Sequence, residues 1–221
     1  MKYLLLPLLV CANACQATLC DSGKRQSPIS IMPGAIAAHT LPAMQSDYRI
    51  APLKLANDGH TLRVRFDKSG QLILGKARFT LQQFHFHTPG GDEIKGEKFP
   101  FAAHILHKSA SGQLLAIVVP FRLGAENSLL NKLLPLIPYK VDGDHTHPQL
   151  PISAQELLPP KLGYYRYSGS LTAAPCTESV EWVVMKQPLE LSAAQLARWQ
   201  QHFKDNMRGV NPINGRPVFE G

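Results

Sequence analysis

Gln82-Gln83-Phe84-His85-Phe86-His87 alternates aromatic and imidazole side chains. In a strand, successive side chains turn to opposite faces. His85 and His87 then share one face, and Phe84 and Phe86 share the other. The phenylalanines supply a side to bury. The imidazoles, about 7 Å apart by strand rise, are able to converge on one ion. A third ligand has to come from a neighbouring strand. Ala102-Ala103-His104-Ile105-Leu106-His107 offers two histidines of opposite parity, so only one of them joins such a site. Taken alone, an HxH pair also describes ordinary surface decoration.

The surroundings fit a β-rich chain. Leu62 to Phe66, Gln71 to Leu74, Thr80 to His87, Ala102 to His107, Leu114 to Phe121 and Val180 to Met185 are short, apolar or alternating segments. Gly, Pro, Asp or Lys bounds most of them, and they read as strands. Two stretches read as helices. Asn127 to Ile137 carries leucines at helical spacing, with Pro135 straining its end. Ser192 with Gln195 makes a capping box that opens a run with Leu196, Trp199 and Phe203 on one side. There is no internal repeat, low-complexity segment or linker. A chain of 221 residues has room for one well-cored domain rather than two.

Hydrophobic residues make up 44 % of the chain and charged residues 18 %, with 18 prolines and 16 glycines. That balance suits a turn-rich β domain that folds without a partner. The formal charge is +7. Lys and Arg are scattered, without runs or interleaved aromatics, so a solvated surface is expected and nucleic acid is not. No stretch is long and apolar enough to span a bilayer. Oligomeric state is not legible.

Residues 1–17 read as a secretory signal, with Lys2, the apolar Leu4 to Val10, and Ala12-Asn13-Ala14 as a small-x-small cleavage pattern near 14–17. Residues 18–221 then form the mature domain, periplasmic or secreted. Cys11 falls in the removed segment. Cys15 is removed or idle, and its place after Ala14 also loosely resembles a lipid-attachment site, with Ala12 where leucine is usual. Cys20 and Cys176 remain, and a lone pair in an oxidising compartment usually closes a disulfide.

Several ordered motifs together resemble the alpha-class carbonic anhydrase family, bacterial branch. They are Gly23-Lys24-Arg25-Gln26-Ser27-Pro28-Ile29, Asn57-Asp58-Gly59-His60, Gln83 through Pro89, Phe99-Pro100 before Ala103-His104, Tyr165 through Thr172, and Asn206 through Arg208 to Asn211 through Arg216. The resemblance spans roughly residues 20 to 218. It implies a mostly β fold with a large, twisted, mainly antiparallel central sheet, short peripheral helices and a conical cleft. It makes His85, His87 and His104 ligands of Zn2+, and places Gln83 behind His85. His107 falls at a position that does not bind metal. Cys20 and Cys176 match a disulfide of secreted members.

The implied reaction is reversible hydration of carbon dioxide to bicarbonate. Zinc lowers the pKa of bound water to about 7, a property already attached to sites of this family. Thr172 matches the residue that orients the nucleophile. His60 matches the proton shuttle, a task that suits imidazole. Leu106, Ala116, Leu171, Val180 and Trp182 match the apolar wall where carbon dioxide rests, although each also reads as ordinary core.

Four departures bear on this. Ala102 stands where the family has a glutamate behind the third ligand. Gly91 stands where a glutamate receives the hydrogen bond of the catalytic threonine. A Trp-Gly-Tyr segment before the first motif is absent, and Arg63 replaces a neutral cleft residue. Asp92 or Glu93 is expected to fold back within about 2.5–3.0 Å of the Thr172 hydroxyl as a substitute. Two further readings accompany the hydratase: a zinc protein of the same family with little hydration activity, and an esterase using the same metal. Asp144-His145-Thr146-His147 reads as a solvated loop, with weak zinc capture as its functional alternative.

Overall fold

The expected strand Thr80 to His87 lies inside an eleven-residue strand of a computed structural model, which describes residues 20–221 apart from 38 and 68. The signal-segment expectation for residues 1–17, with Cys11 and Cys15, lies outside the described residues. Strands β1 (Ser30–Ile31), β2 (Ile36–Ala37), β3 (Met44–Tyr48), β4 (Ala51–Asn57), β5 (Leu62–Arg65), β6 (Gly70–Leu74), β7 (Ala77–His87), β8 (Glu93–Ile94), β9 (Phe101–Ser109) and β10 (Leu114–Leu123) come first. Helix α1 (Ser128–Leu133), β11 (His145–Ile152), β12 (Tyr164–Ser170), β13 (Glu178–Met185), β14 (Leu189–Leu191), helix α2 (Ala193–Gln200) and β15 (Val218–Glu220) follow.

One large sheet runs in the order β11-β4-β5-β7-β9-β10-β13-β12-β15-β2. Its pairs are antiparallel except where β13 and β14 join β10 and where β15 joins β2. This is the large, mainly antiparallel sheet with short peripheral helices that the motifs implied. The sheet separates two apolar layers. Phe84, Phe86, Phe101, Ile105, Ile117, Phe121 and Val183 belong to the larger core with Trp199. Ala102, Ala116, Val118, Tyr167, Val180 and Trp182 belong to a smaller layer on the opposite side.

The helices serve the larger core. Asn127 caps α1 by accepting from Leu130 N–H. Pro135 lacks the N–H an α-helix would use, and the chain tightens there into a 3-10 turn over Leu134–Leu136. Ser192 and Gln195 form the expected capping box at the start of α2. The box holds α2 so that Trp199 lies edge-on to Phe86 and Phe101, at centroid distances of 4.9 and 5.2 Å. Cys20 and Cys176 are joined by a disulfide with Cα atoms 5.1 Å apart, closing a span of 156 residues. A loop of that length contributes about 5 kcal/mol at most by chain entropy.

The expectation of a loop at Asp144 to His147 is corrected. His145 to His147 begin edge strand β11, paired with β4. Pro148 and Pro151 concealed it, because proline reads against a strand, yet an edge strand needs donors on one side only. The pairing shifts register between His147 and Pro151.

Replacing Phe86 by Ala removes an aromatic packed against Phe84, Phe101 and Trp199. The expected cost is about 3–5 kcal/mol, with weaker metal retention because β7 also carries His85 and His87. Urea unfolding with zinc titration checks both, and a variant as stable as the parent would refute the packing argument.

Candidate metal centre

The register of β7 against β9 sets His85 directly opposite His104. Alternation then puts Gln83, His85, His87 and His104 on the sheet face away from the phenylalanines. The ring centroids lie 4.9 Å (His85 to His87), 5.4 Å (His85 to His104) and 4.4 Å (His87 to His104) apart. One nitrogen from each ring lies within 4.8 Å of the others. His107 has the other parity. It is buried in the opposite layer, where its Nε2 meets the Tyr48 hydroxyl at 2.6 Å.

Hydrogen bonding fixes the rings. His87 Nδ1 lies 3.0 Å from the Asn206 carbonyl oxygen. A carbonyl only accepts, so Nδ1 carries the proton and Nε2 keeps a free lone pair. That Nε2 is buried and has no partner among the described residues. His85 Nδ1 likewise lies 3.0 Å from Gln83 Oε1, which leaves its Nε2 available. Burial pushes His87 down to about 4, and holds His85 and His104 well below the ordinary imidazole value. Three neutral imidazoles with paired outer nitrogens on two of them are the donor set of a zinc site with an open position. The residues present therefore fit the ion.

His104 is the exception. Its Nε2 is buried and has no partner among the described residues, and Ala102 offers no acceptor. A side chain on the neighbouring Gly90 would crowd the alanine, its Cβ lying 3.2 Å from the Ala102 Cβ.

The three histidines open onto a cavity of about 230 Å³. Leu106, Ala116, Leu171, Val180 and Trp182 line it on one side, and His60, Thr61, Arg63 and Gln83 contribute polar groups. Thr172, on the bend after β12, lines it too. His60 is exposed, with its ring 6.1 Å from that of His87. The close approach of β12 depends on Gly169, where a side chain would run into Ser27 and Trp182. Sequence reasoning gave Asn206 no role. Its Nδ2 reaches the carbonyls of His60 and Phe86 and its Oδ1 takes Thr88 N–H, while its own carbonyl holds His87. A single asparagine in a polar tail gives no local signal of this.

The expectation that Asp92 or Glu93 reaches Thr172 is corrected. Asp92 Oδ1 accepts from Ile29 N–H at 3.0 Å and from the Tyr167 hydroxyl at 2.8 Å, and its Oδ2 is buried without a partner. Glu93 faces Lys98. Both are held there because Ser30–Ile31 pairs in parallel with Glu93–Ile94, so the segment cannot slide toward Thr172. Gly91 sits at φ +91°, and a Cβ there would meet Met207 Cε at 2.5 Å. Met207 occupies the space that an acidic side chain would need.

Three imidazoles that could hold a metal ion, set in a cavity on one face of a large sheet, define the class of site. The family model described as eukaryotic-type carbonic anhydrase matches residues 13–221, and the chain belongs to that family of enzymes. The carbonic anhydrase of Pectobacterium carotovorum is 39 % identical over 204 residues, covering 91 % of this chain and 82 % of the relative. That of Neisseria gonorrhoeae is 36 % identical, covering 91 % and 79 %. The alpha-carbonic anhydrase of Thermovibrio ammonificans, solved with the inhibitor sulfanilamide, superposes with a TM-score of 0.87 at 36 % identity, covering 92 % of this chain and 90 % of that one.

Asp92 makes stability depend on pH. Burial pushes its carboxyl up to about 6, against the opposing pull of Ile29 N–H and the Tyr167 hydroxyl. Between the unfolded value near 3.8 and about 6, the folded state binds more protons than the unfolded one. Stability from this group therefore falls as pH rises through that window, by about 3 kcal/mol over the full shift. Asp92→Asn should remove this component. Urea midpoints of parent and variant at pH 4, 5, 6 and 7 check it, and a difference that does not vary with pH would sink it.

Proposed function

We propose that this protein catalyses the zinc-dependent, reversible hydration of carbon dioxide to bicarbonate and a proton. The observation that carries the reading is the cluster of three imidazoles, His87 and His104 buried and His85 half-buried, two with their outer nitrogens already paired, opening onto a largely apolar cavity. Zinc held by His85, His87 and His104 would supply a Lewis acid that makes a nucleophile of water near neutral pH. Leu106, Ala116, Leu171, Val180 and Trp182 give an uncharged substrate a surface without competing hydrogen bonds. Thr172 faces the same space, and its hydroxyl is the group that orients the nucleophile. His60 stands at the exposed side and carries the proton outward, the usual work of imidazole. Asn206 fixes both His87 and the turn that bears His60, so ligand and shuttle share one anchor. The disulfide supports export, and no described helix is long and apolar enough to cross a membrane. We read the protein as periplasmic or secreted after loss of residues 1–17.

A second reading, zinc binding with little hydration, is favoured by one specific observation. Neither Asp92 nor Glu93 bonds the Thr172 hydroxyl, so its proton lacks the carboxylate that the resemblance led us to expect.

Zinc content and stopped-flow hydration of the same preparation separate the two readings. We expect one zinc per chain and measurable hydration. Thr172→Ala should lower the rate about 100-fold, the low end for a positioned proton-handling group, and leave zinc bound. Gln83→Ala should weaken zinc about 10–100-fold in chelator competition. Full zinc with no hydration above the uncatalysed rate would establish the second reading.

A further inference from the structure

The cavity holds one guanidinium. Arg63 lies in β5, and no other Lys or Arg is found among the described residues that line the space. Its Nη2 pairs with Asp58 Oδ2. Asp58 Oδ1 in turn accepts from the backbone N–H of His60 at 3.0 Å and of Thr61 at 2.8 Å. The carboxylate is thus fixed by its own turn, and it holds one edge of the guanidinium.

That pairing uses few of the donors a guanidinium carries. Nε and Nη1 hydrogen-bond to none of the described residues, and the fork left open is the one that either of them makes with the second N–H of Nη2. The side chain is 34 % exposed, so the free edge is reachable through the cavity. Arg63 is also near the ligands. Burial, then His87, then Arg63 hold the His85 imidazole down.

Both oxygens of Asp58 are already engaged by donors. Their lone pairs do less to repel an approaching anion than those of an unpaired carboxylate. The ion pair has no net charge, so attraction must come from directed N–H groups at short range. A planar fork of that kind matches a planar oxyanion in two parallel hydrogen bonds. A lysine in the same place would offer a point charge without the fork.

We propose that Arg63 is a specificity-determining residue that captures a planar oxyanion, of the bicarbonate and carboxylate class, beside the three imidazoles. For bicarbonate the inference rests on the hydration reading above. The capture of a simple carboxylate does not. Arg63 would lower the KM for bicarbonate in dehydration and, by the same contact, strengthen inhibition of hydration by its product. It would also make the site sensitive to small carboxylates, which an all-neutral cleft would admit less readily.

Formate is the probe. Its dissociation constant is read by NMR titration of the whole protein, metal-free and zinc-loaded, for the parent, Arg63→Gln and Arg63→Lys. Arg63→Gln is expected to weaken formate about 10-fold or more in both states, the loss of one charge-assisted pair. Arg63→Lys is expected to fall between. In the zinc-loaded protein the KM for bicarbonate should rise by a similar factor in Arg63→Gln. Arg63→Lys keeps a charge opposite Asp58, and it decides the matter if Arg63→Gln proves poorly folded by melting temperature. Equal formate affinity in parent and variants, or no formate binding by the metal-free parent, overturns the proposal. A zinc-loaded parent that hydrates no carbon dioxide overturns the hydration reading, and the metal-free formate comparison still decides Arg63.

Discussion

The antiparallel register of β7 against β9 is the constraint on which the rest depends. His85 faces His104, and Phe84 faces Ile105. A slip of one residue would send every side chain of β7 to the other face. The imidazoles would enter the large apolar core, and Phe84 and Phe86 would enter the cavity. The register is therefore enforced by the hydrophobic side, where Phe86 meets Phe101 and Trp199. Metal-site geometry is inherited from packing of the opposite face.

The ends of these strands need separate fixing, because a strand that stops at His87 leaves its last ligand near a loop. Asn206 supplies that fix from a segment more than a hundred residues away. Thr61 adds to it, exchanging hydrogen bonds with the carbonyl and N–H of Phe86 through its hydroxyl. The turn at Asp58 to His60 is thereby tied to the same strand end as His87. The guanidinium of Arg63 is tied to that turn through Asp58. His87, His60 and Arg63 are thus joined by one set of hydrogen bonds.

What was legible in the sequence follows from range. Alternation in Gln82 to His87 and in Ala102 to His107 is a local pattern; it paired His85 with His87 and showed that only one of His104 and His107 joins them, and the family resemblance chose His104. The capping box at Ser192 is local too. Asn206 was not legible, because its work is done through a backbone carbonyl against a distant ring. Strand β11 was hidden by its own prolines. Asp92 was misread because it follows Gly91, the position where the family resemblance puts the acid, whereas the parallel pair of β1 and β8 directs it toward Ile29 and Tyr167. Long-range pairing, invisible in a single sequence, decided each of these.

The two positions that lack an acid are not simple vacancies. At Gly91 the backbone is left-handed, and Met207 fills the adjoining space. At Ala102 the neighbour is Gly90, where a Cβ would crowd the alanine methyl. Restoring a carboxylate at 91 would therefore require Met207 to move. The buried acid of this segment stands instead at Asp92, where it holds the hydroxyl of Tyr167. Tyr167 lies parallel to Trp182 at 6.2 Å, and Trp182 stands edge-on to His104 at 5.1 Å. The position of His104 thus depends on a carboxylate through the rings of Tyr167 and Trp182 rather than through a direct hydrogen bond. Such a chain constrains where the imidazole sits, because rings transmit contact. It does nothing for the charge on His104 Nε2, because no acceptor reaches that atom. Orientation and basicity, which a single glutamate would supply together, are separated here, and only orientation is retained.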